Sequence, residues 1–205
     1  MIKSVIRKLT LLALAALSLA ACGRPPGHVA DVATRQIQAV ATVGMIADVV
    51  QRVGGERVAV EGLMGPGIDP HSYKASEGDV IALAEADIVF YNGLHLEAKM
   101  AEVFEKMGGT VKAVAVTDGI PREKLLTPPE FEGQYDPHVW FDVTLWQYTV
   151  GAVRDALIEI DPRHAAGYRA RAEATLAELA ELHSYVLAQA QRMPPEQRVL
   201  VTAHD

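Results

Sequence analysis

The sequence contains little cysteine and little positive charge. A single cysteine among 205 residues rules out a small scaffold held together by disulfides, and a hydrophobic share of 50% is too high for an intrinsically disordered chain. The 19 lysines and arginines are outnumbered by 26 acidic residues, which leaves a formal net charge of −7. Nonspecific nucleic-acid binding depends on positive charge, so we expect no nucleic-acid partner.

The start of the sequence lacks an apolar run long enough to cross a bilayer. Residues 9–21 are rich in leucine and alanine, but the run is shorter than the roughly 20 residues that a transmembrane helix needs. Lys3, Arg7 and Lys8 precede the run, and small residues end it. This pattern is typical of a secretory signal peptide. We therefore predict a signal peptide over residues 1–21 and export of the protein.

Cys22, the only cysteine, follows directly after Leu19, Ala20 and Ala21. The segment resembles a bacterial lipoprotein signal, in which the cysteine after the cleavage site carries lipid. That resemblance implies a lipid anchor at Cys22, which fixes the protein to a membrane of the cell envelope or periplasm, and a tether over residues 22–35. The alternative is a soluble secreted chain with an unpaired thiol.

Between residues 36 and 117, short β-rich runs alternate with helical runs. This order predicts an α/β fold in which a parallel four-stranded sheet has helices on both faces. We assign this N-terminal lobe to residues 36–141. The predicted strands cover residues 36–43, 57–64, 87–92 and 112–117, and the predicted helices cover residues 45–53, 77–86 and 95–107.

The next part of the sequence, residues 142–193, is predicted to be helical. Asp142 is placed to cap the first helix, and Pro162 to open a second, longer one. About thirty helical residues span on the order of 45 Å, which is enough to link two lobes. We expect residues 194–205, with a strand over 198–202, to begin a second α/β lobe that continues beyond the sequence given, so that the chain is truncated.

Histidines are the best candidates for a functional site, because the sequence lacks the common catalytic motifs. It has no His-Glu-x-x-His helix, no phosphate-binding Gly-Lys-Ser/Thr loop and no Gly-x-Ser-x-Gly elbow. His71, His138 and His204 each lie beyond the carboxyl end of a predicted strand, where open parallel sheets bind their ligands. Neutral imidazole binds zinc and other first-row divalent metals. The three side chains are therefore candidate ligands of one metal ion, although a lone loop histidine is more often solvated or hydrogen-bonded.

Four segments of the sequence form a recognisable pattern. They are residues 65–73 (GPGIDPHSY), 91–97 (YNGLHLE), 135–142 (YDPHVWFD) and 201–205 (VTAHD). In this order they resemble the TroA-type solute-binding proteins of zinc and manganese ABC importers. The resemblance implies two α/β lobes bridged by one rigid long helix, with the metal held between them. It matches His71, His138 and His204 to the family's three histidine ligands and places the fourth ligand, an Asp or Glu, in the second lobe.

The resemblance implies a receptor and not an enzyme. Such a receptor captures Zn²⁺ or Mn²⁺ outside the cytoplasm and delivers it to a membrane permease with its ATPase; we expect it to be a monomer. Because imidazole binds metal only in its neutral form, the affinity should fall as the pH drops toward about 6.5. Asp136, Asp142 and Asp205 are candidates for acceptors that orient the ligand rings. For the first two, a solvated loop carboxylate or a helix cap is an equal alternative.

The metal and the function each have an alternative. Three imidazoles favour zinc, whereas the TroA resemblance and the lack of histidine in the loop over residues 118–136 leave manganese open. A metal-binding surface adhesin is the alternative function. An exported zinc hydrolase is a further one, but it needs a general base, and no glutamate accompanies the histidines at a motif spacing.

Overall fold

Four parallel strands form the sheet at the centre of the structure. The computed structural model describes residues 32–199 except residues 108 and 132. The strands are β1 (Ile37–Val43), β2 (Val58–Met64), β3 (Ile88–Tyr91) and β4 (Lys112–Ala115). They pair in the order β2-β1-β3-β4, and every pairing is parallel. The predicted α/β fold with a parallel four-stranded sheet is confirmed.

The two inner strands, β1 and β3, are almost entirely buried. In β1 every residue except Gln38 is buried, and in β3 only Tyr91 is partly exposed. Ala39 of β1 lies opposite Val60 on one side and Ile88 on the other. Near-continuous apolar runs are typical of parallel strands that are covered on both faces, which is why the sequence pattern located them.

Within the described residues, five α-helices accompany the sheet. They are α1 (Gly44–Gly54), α2 (Glu77–Glu85), α3 (Ala101–Met107), α4 (Val143–Ile160) and α5 (Ala165–Gln191). At the start of α2, Ser76 and Asp79 accept hydrogen bonds from each other's backbone amides, which satisfies two amides that the helix leaves unpaired. Of the helices in the described ranges, none has the length and apolar character needed to cross a membrane.

The helix before β4 begins later than its pattern indicated. We predicted a helix over residues 95–107, but α3 begins only at Ala101, after a turn and a short 3₁₀ segment. Gly93, Leu94 and His95 have φ angles of 83°, 51° and 65°. These values belong to the left-handed region, so the chain cannot form a right-handed α-helix there.

The long helix α5 packs against α4 and α1. Asp142 caps α4 as predicted, because its Oδ1 accepts a hydrogen bond from the backbone N–H of Thr144 at 2.8 Å. A 3₁₀ turn over Pro162–His164 precedes α5, which has 27 residues, so the predicted long helix is confirmed. Its first half buries Tyr168 and Ala172.

The last residues of the predicted tether belong to the folded lobe. We assigned residues 22–35 to a tether, but Val32 is buried in the core at 4% exposure, and its carbonyl accepts a hydrogen bond from Arg57 at 2.7 Å. Arg35 forms two hydrogen bonds with the carboxylate of Asp87, at 2.6 and 2.7 Å. An apolar side chain in the core and a bidentate ion pair together fix this segment to the sheet.

Several predictions concern residues that the structure does not describe. The signal peptide, Cys22, His204 and Asp205 all lie outside the described residues. Only the first two residues of the strand predicted over residues 198–202 are described, and neither lies in a strand. The lobe boundaries, with a second lobe that starts over residues 194–205, stay predictions.

Candidate metal site

Two of the three predicted ligands come together at the carboxyl edge of the sheet. His71 lies in the loop after β2, and His138 lies in the long loop after β4. Their Nε2 atoms are 3.1 Å apart, and the two rings meet edge to face with centroids 5.2 Å apart. Since the carboxyl ends of parallel strands share one edge, the sheet brings together side chains that are 67 positions apart in sequence. His204 lies outside the described residues.

The spacing of the two Nε2 atoms fits two ligands of one ion. Zinc binds imidazole nitrogen at about 2.0–2.1 Å, and a tetrahedral angle at the metal then separates two such nitrogens by about 3.3 Å. The observed 3.1 Å is close to this value. Within the described ranges, no group of three or more His, Cys, Asp or Glu side chains is arranged to hold a metal; His71 and His138 are two candidate ligands that lie together.

The two histidines are presented by the same local turn. In Asp69-Pro70-His71 the backbone N–H of the histidine donates to Asp69 Oδ1 at 2.9 Å. In the second copy of the tripeptide, the N–H of His138 donates to Asp136 Oδ1, also at 2.9 Å. An aspartate that accepts from the amide two residues later closes a tight turn, and proline restricts the backbone between them. Both turns therefore hold the histidine in a fixed direction.

Asp69 has a role in the site that our sequence analysis did not assign. Its Oδ1 closes the turn before His71, and its Oδ2 accepts a hydrogen bond from Ser72 Oγ at 2.7 Å. The available signal was the repeated Asp-Pro-His tripeptide, in which Asp69 occupies the position of Asp136.

Asp136 also contacts the ring of His138. Its Oδ1 lies 2.8 Å from His138 Nδ1, a contact that favours the tautomer with the proton on Nδ1. This arrangement is the one that orients most metal-binding histidines and increases their basicity. Asp136 therefore contacts the His138 ring, and its role beside a bound metal stays a prediction.

Asp142 contacts a different partner. Its Oδ1 accepts hydrogen bonds from the backbone N–H and the Oγ1 of Thr144, at 2.8 and 2.7 Å. Burial acts to raise the pKa of Asp142, but the hydrogen bonds from Thr144 and Leu145 outweigh it and keep the pKa below its ordinary value. Asp142 thus acts as a helix cap, which the sequence analysis gave as the alternative to an acceptor that orients a ligand ring. Asp205, the third candidate acceptor, lies outside the described residues.

Aromatic side chains surround His138, which is 7% exposed. The Trp140 ring meets its edge at a centroid distance of 5.2 Å, and the Phe131 ring lies at 6.3 Å. These rings limit the rotation of the imidazole and exclude water from one side of it.

A buried polar cluster next to these loops escaped our sequence analysis. Glu97, which is 4% exposed, accepts hydrogen bonds from Thr42 Oγ1 and the backbone N–H of Asn92, both at 2.7 Å. Burial raises the pKa of Glu97 above its ordinary value, although these hydrogen bonds oppose the shift. Asn92 Nδ2 in turn donates to the carbonyl of Pro137 at 3.1 Å. The sequence shows only that Asn92 and Glu97 lie at and after the end of a predicted strand, and not that their side chains join a buried cluster.

Comparison with known proteins identifies the family of this chain. The family model described as zinc-uptake complex component A, periplasmic, matches residues 39–205. The zinc-binding protein TroA of Treponema pallidum is 49% identical over 166 residues, which cover 81% of this chain and 53% of the relative. The manganese-binding lipoprotein MntA of Bacillus subtilis is 42% identical over 193 residues, which cover 93% and 61%.

A solved structure shows the same fold. The periplasmic zinc-binding protein TroA from Treponema pallidum superposes with a TM-score of 0.80 at 48% identity, over 83% of this chain and 61% of that one. The chain thus spans between about half and two thirds of the length of these relatives. By sequence and by fold, the chain belongs to the family of periplasmic zinc-uptake components A, which includes the TroA-type metal-binding proteins.

Proposed function

We propose that the protein is the extracytoplasmic receptor of an ABC importer, which captures Zn²⁺ or Mn²⁺ and delivers it to a membrane permease. The observation that carries the proposal is the 3.1 Å separation of His71 Nε2 and His138 Nε2, with the Asp136 carboxylate on the opposite nitrogen of His138. That geometry places two imidazole Nε2 atoms at the separation of two ligands of one ion, and neutral imidazole is the form that binds metal.

His204 is the proposed third ligand, and an Asp or Glu from a second lobe is the fourth. The support is the match of residues 39–205 to the family model and the place of His204 after the last predicted strand. Such a ligand set closes around the ion only when the second lobe is present. The metal is here the cargo of the protein, and the transported ion has to leave again at the permease.

Export and anchoring are part of the same proposal. Residues 1–21 act as the signal peptide, and a lipid on Cys22 holds the receptor at the membrane, close to the permease and its ATPase. One relative is named a lipoprotein and another is described as periplasmic, which supports an extracytoplasmic location. We propose that the receptor works as a monomer, since one bound ion is passed to one permease.

Zinc and manganese are both candidate cargoes. The two relatives are named for different metals, one for zinc and the other for manganese. Imidazole ligands and the affinity order of divalent metals favour zinc, whereas a carboxylate as the fourth ligand suits manganese. The identity of the fourth ligand and the supply of metal then determine what is carried.

The test is a calorimetric titration of Zn²⁺ and Mn²⁺ into the metal-stripped, full-length natural protein. We expect one ion per protein and a loss of at least about 100-fold in affinity in His71→Ala and in His138→Ala, since each variant removes a ligand. His183→Gln is the matched control, because this histidine lies on α5 and is not a proposed ligand. A folded wild type that binds neither metal would overturn the proposal.

A further inference from the structure

One peptide group in the proposed site is held at both ends. The Pro137 carbonyl accepts a hydrogen bond from Asn92 Nδ2 at 3.1 Å, and the N–H of His138, on the same peptide, donates to Asp136 Oδ1 at 2.9 Å. Because a peptide group is planar, two such bonds fix the orientation of the plane. They therefore fix the backbone position from which the His138 ring projects.

The other turn lacks this second bond. The N–H of His71 donates to Asp69 Oδ1 at 2.9 Å, but no backbone N–H of the described residues donates to the Pro70 carbonyl. His71 is also more exposed than His138. The two Asp-Pro-His turns are thus alike in their first hydrogen bond and differ in the contact that Asn92 adds.

The amide of Asn92 can point in only one direction. Asn92 is fully buried, and its Nδ2 donates to the carbonyls of Gly93 and Pro137, at 3.0 and 3.1 Å. A flipped amide would place its oxygen against both carbonyls, which is repulsive. The hydrogen bond to Pro137 is therefore specified by the surroundings of the amide.

Glu97 holds Asn92 in place from the other side. Its Oε1 accepts from the backbone N–H of Asn92 at 2.7 Å and its Oε2 accepts from that of Gly93 at 3.3 Å. The turn that follows has left-handed φ angles at Gly93, Leu94 and His95, a conformation that non-glycine residues adopt only when the surroundings enforce it. A buried carboxylate that accepts two successive amides provides that enforcement.

Resting on the proposed function, we infer that Asn92 and Glu97 are positioning residues for metal capture. Glu97 fixes the turn after β3, and Asn92 in that turn donates a hydrogen bond to the Pro137 carbonyl. This hydrogen bond holds His138 with its Nε2 toward His71. Neither Asn92 nor Glu97 binds the metal. Asn92 and Glu97 thus hold His138 in its binding position before the metal arrives. Metal binding then does not bear the entropic cost of ordering that loop.

The test compares Asn92→Ala with Thr117→Val in the full-length natural protein. Asn92→Ala removes both Nδ2 hydrogen bonds. Thr117→Val keeps them and removes a neighbouring buried bond, from Thr117 Oγ1 to the Asn92 carbonyl at 2.6 Å. For each variant, Zn²⁺ affinity, the visible spectrum of the Co²⁺-loaded protein and the urea midpoint of the metal-free protein are measured.

We expect Asn92→Ala to weaken Zn²⁺ binding by about tenfold or more, the usual loss when a group that orients a ligand is removed, and to change the Co²⁺ spectrum. Thr117→Val should keep the Zn²⁺ affinity within about threefold of the wild type and leave the Co²⁺ spectrum unchanged. This holds even where its urea midpoint falls as far as that of Asn92→Ala. Glu97→Gln replaces one carboxylate oxygen by an NH₂ group, which cannot accept a hydrogen bond from a turn amide. It should therefore weaken Zn²⁺ binding and change the Co²⁺ spectrum, as Asn92→Ala does.

Three outcomes are distinguishable. Wild-type affinity and spectrum in Asn92→Ala overturn the inference while the proposed function stands. Equal losses of affinity in Asn92→Ala and Thr117→Val also overturn it, because they show only a structural role. No metal binding by the folded wild type overturns the proposed function itself. If Asn92→Ala does not fold, Glu97→Gln decides by the same measurements.

Discussion

The buried carboxylate of Asp161 accepts a hydrogen bond from the Tyr168 hydroxyl at 2.7 Å. It also pairs with Arg57 at 3.0 Å and with His164 Nδ1 at 2.8 Å. Asp161 lies between α4 and the turn that leads into α5, and Arg57 directly precedes β2. This cluster therefore ties the base of the long helix to the edge of the sheet opposite the two histidines.

The protonation states of this cluster follow from its geometry. Burial and the neighbouring Asp161 carboxylate raise the pKa of Tyr168 to about 12, so the phenol stays a donor at neutral pH. Burial acts to raise the pKa of Asp161, but the hydrogen bonds from His164, Tyr168 and Arg57 outweigh it and keep that pKa below its ordinary value of 3.8.

Asp161→Ala should lower the free energy of unfolding by about 3–5 kcal/mol, because it leaves the partly buried Arg57 guanidinium without its buried partner. The stabilisation by Asp161 is present above the ordinary pKa of 3.8 and is lost as the pH falls through the lower, native value. Urea titrations at pH 7 and at descending acidic pH measure both effects. Asp155→Asn is the control, since Asp155 pairs with Arg154 at the surface, where a pair contributes at most about 1 kcal/mol. Equal losses in the two variants would contradict the assignment.

Asp136→Asn should weaken Zn²⁺ binding by about tenfold. The amide oxygen can still close the turn before His138, but the negative charge that increases the basicity of the ring is lost. Asp142→Asn should keep wild-type affinity, because Asp142 caps α4 and asparagine is an equally good cap. Calorimetric titration of both variants separates the two carboxylates. An equal effect of both substitutions would show that the charge of the loop, and not the contact with His138, sets the affinity.

The histidine pair could be predicted from the sequence, whereas the Glu97 cluster could not. His71 and His138 each follow the carboxyl end of a predicted strand. Because these ends lie at one edge of a parallel sheet, the two histidines could be expected to lie close together. The contact between Asn92 and Pro137 depends on the strand order, which places the end of β3 next to the loop after β4. Strand order is a tertiary property that no local pattern encodes.

The late start of α3 has a similar cause. The apolar pattern over residues 95–107 is helical, and neither Leu94 nor His95 is a residue that usually adopts a positive φ. Their conformation is imposed by Glu97, which binds the amides at the start of the turn. A buried contact thus overrides the local preference, and the sequence pattern shows only that preference.

Cys22→Ser should move the protein from the membrane fraction to the soluble extracytoplasmic fraction. The substitution removes the thiol that the proposed lipid modifies, and a signal peptide without that lipid leaves no stable anchor. Cell fractionation followed by immunoblotting measures the distribution, with His71→Ala as a control that should stay in the membrane fraction. A Cys22→Ser protein that remains membrane-bound would contradict the lipid anchor.

Gly93→Ala should destabilise the protein more than Gly109→Ala, although both glycines have a φ of 83°. Each substitution places a Cβ in the left-handed region, at a cost of roughly 1–2 kcal/mol. At Gly109 the new Cβ meets nothing within 4 Å, whereas at Gly93 it comes within 3.0 Å of both Ala115 Cβ and Thr117 Oγ1. Overpacking of this kind adds about 1–3 kcal/mol. Urea unfolding of the metal-free variants gives the difference directly; equal losses would mean that the turn after β3 can shift away from β4, and that Asn92 is held less rigidly than its hydrogen bonds indicate.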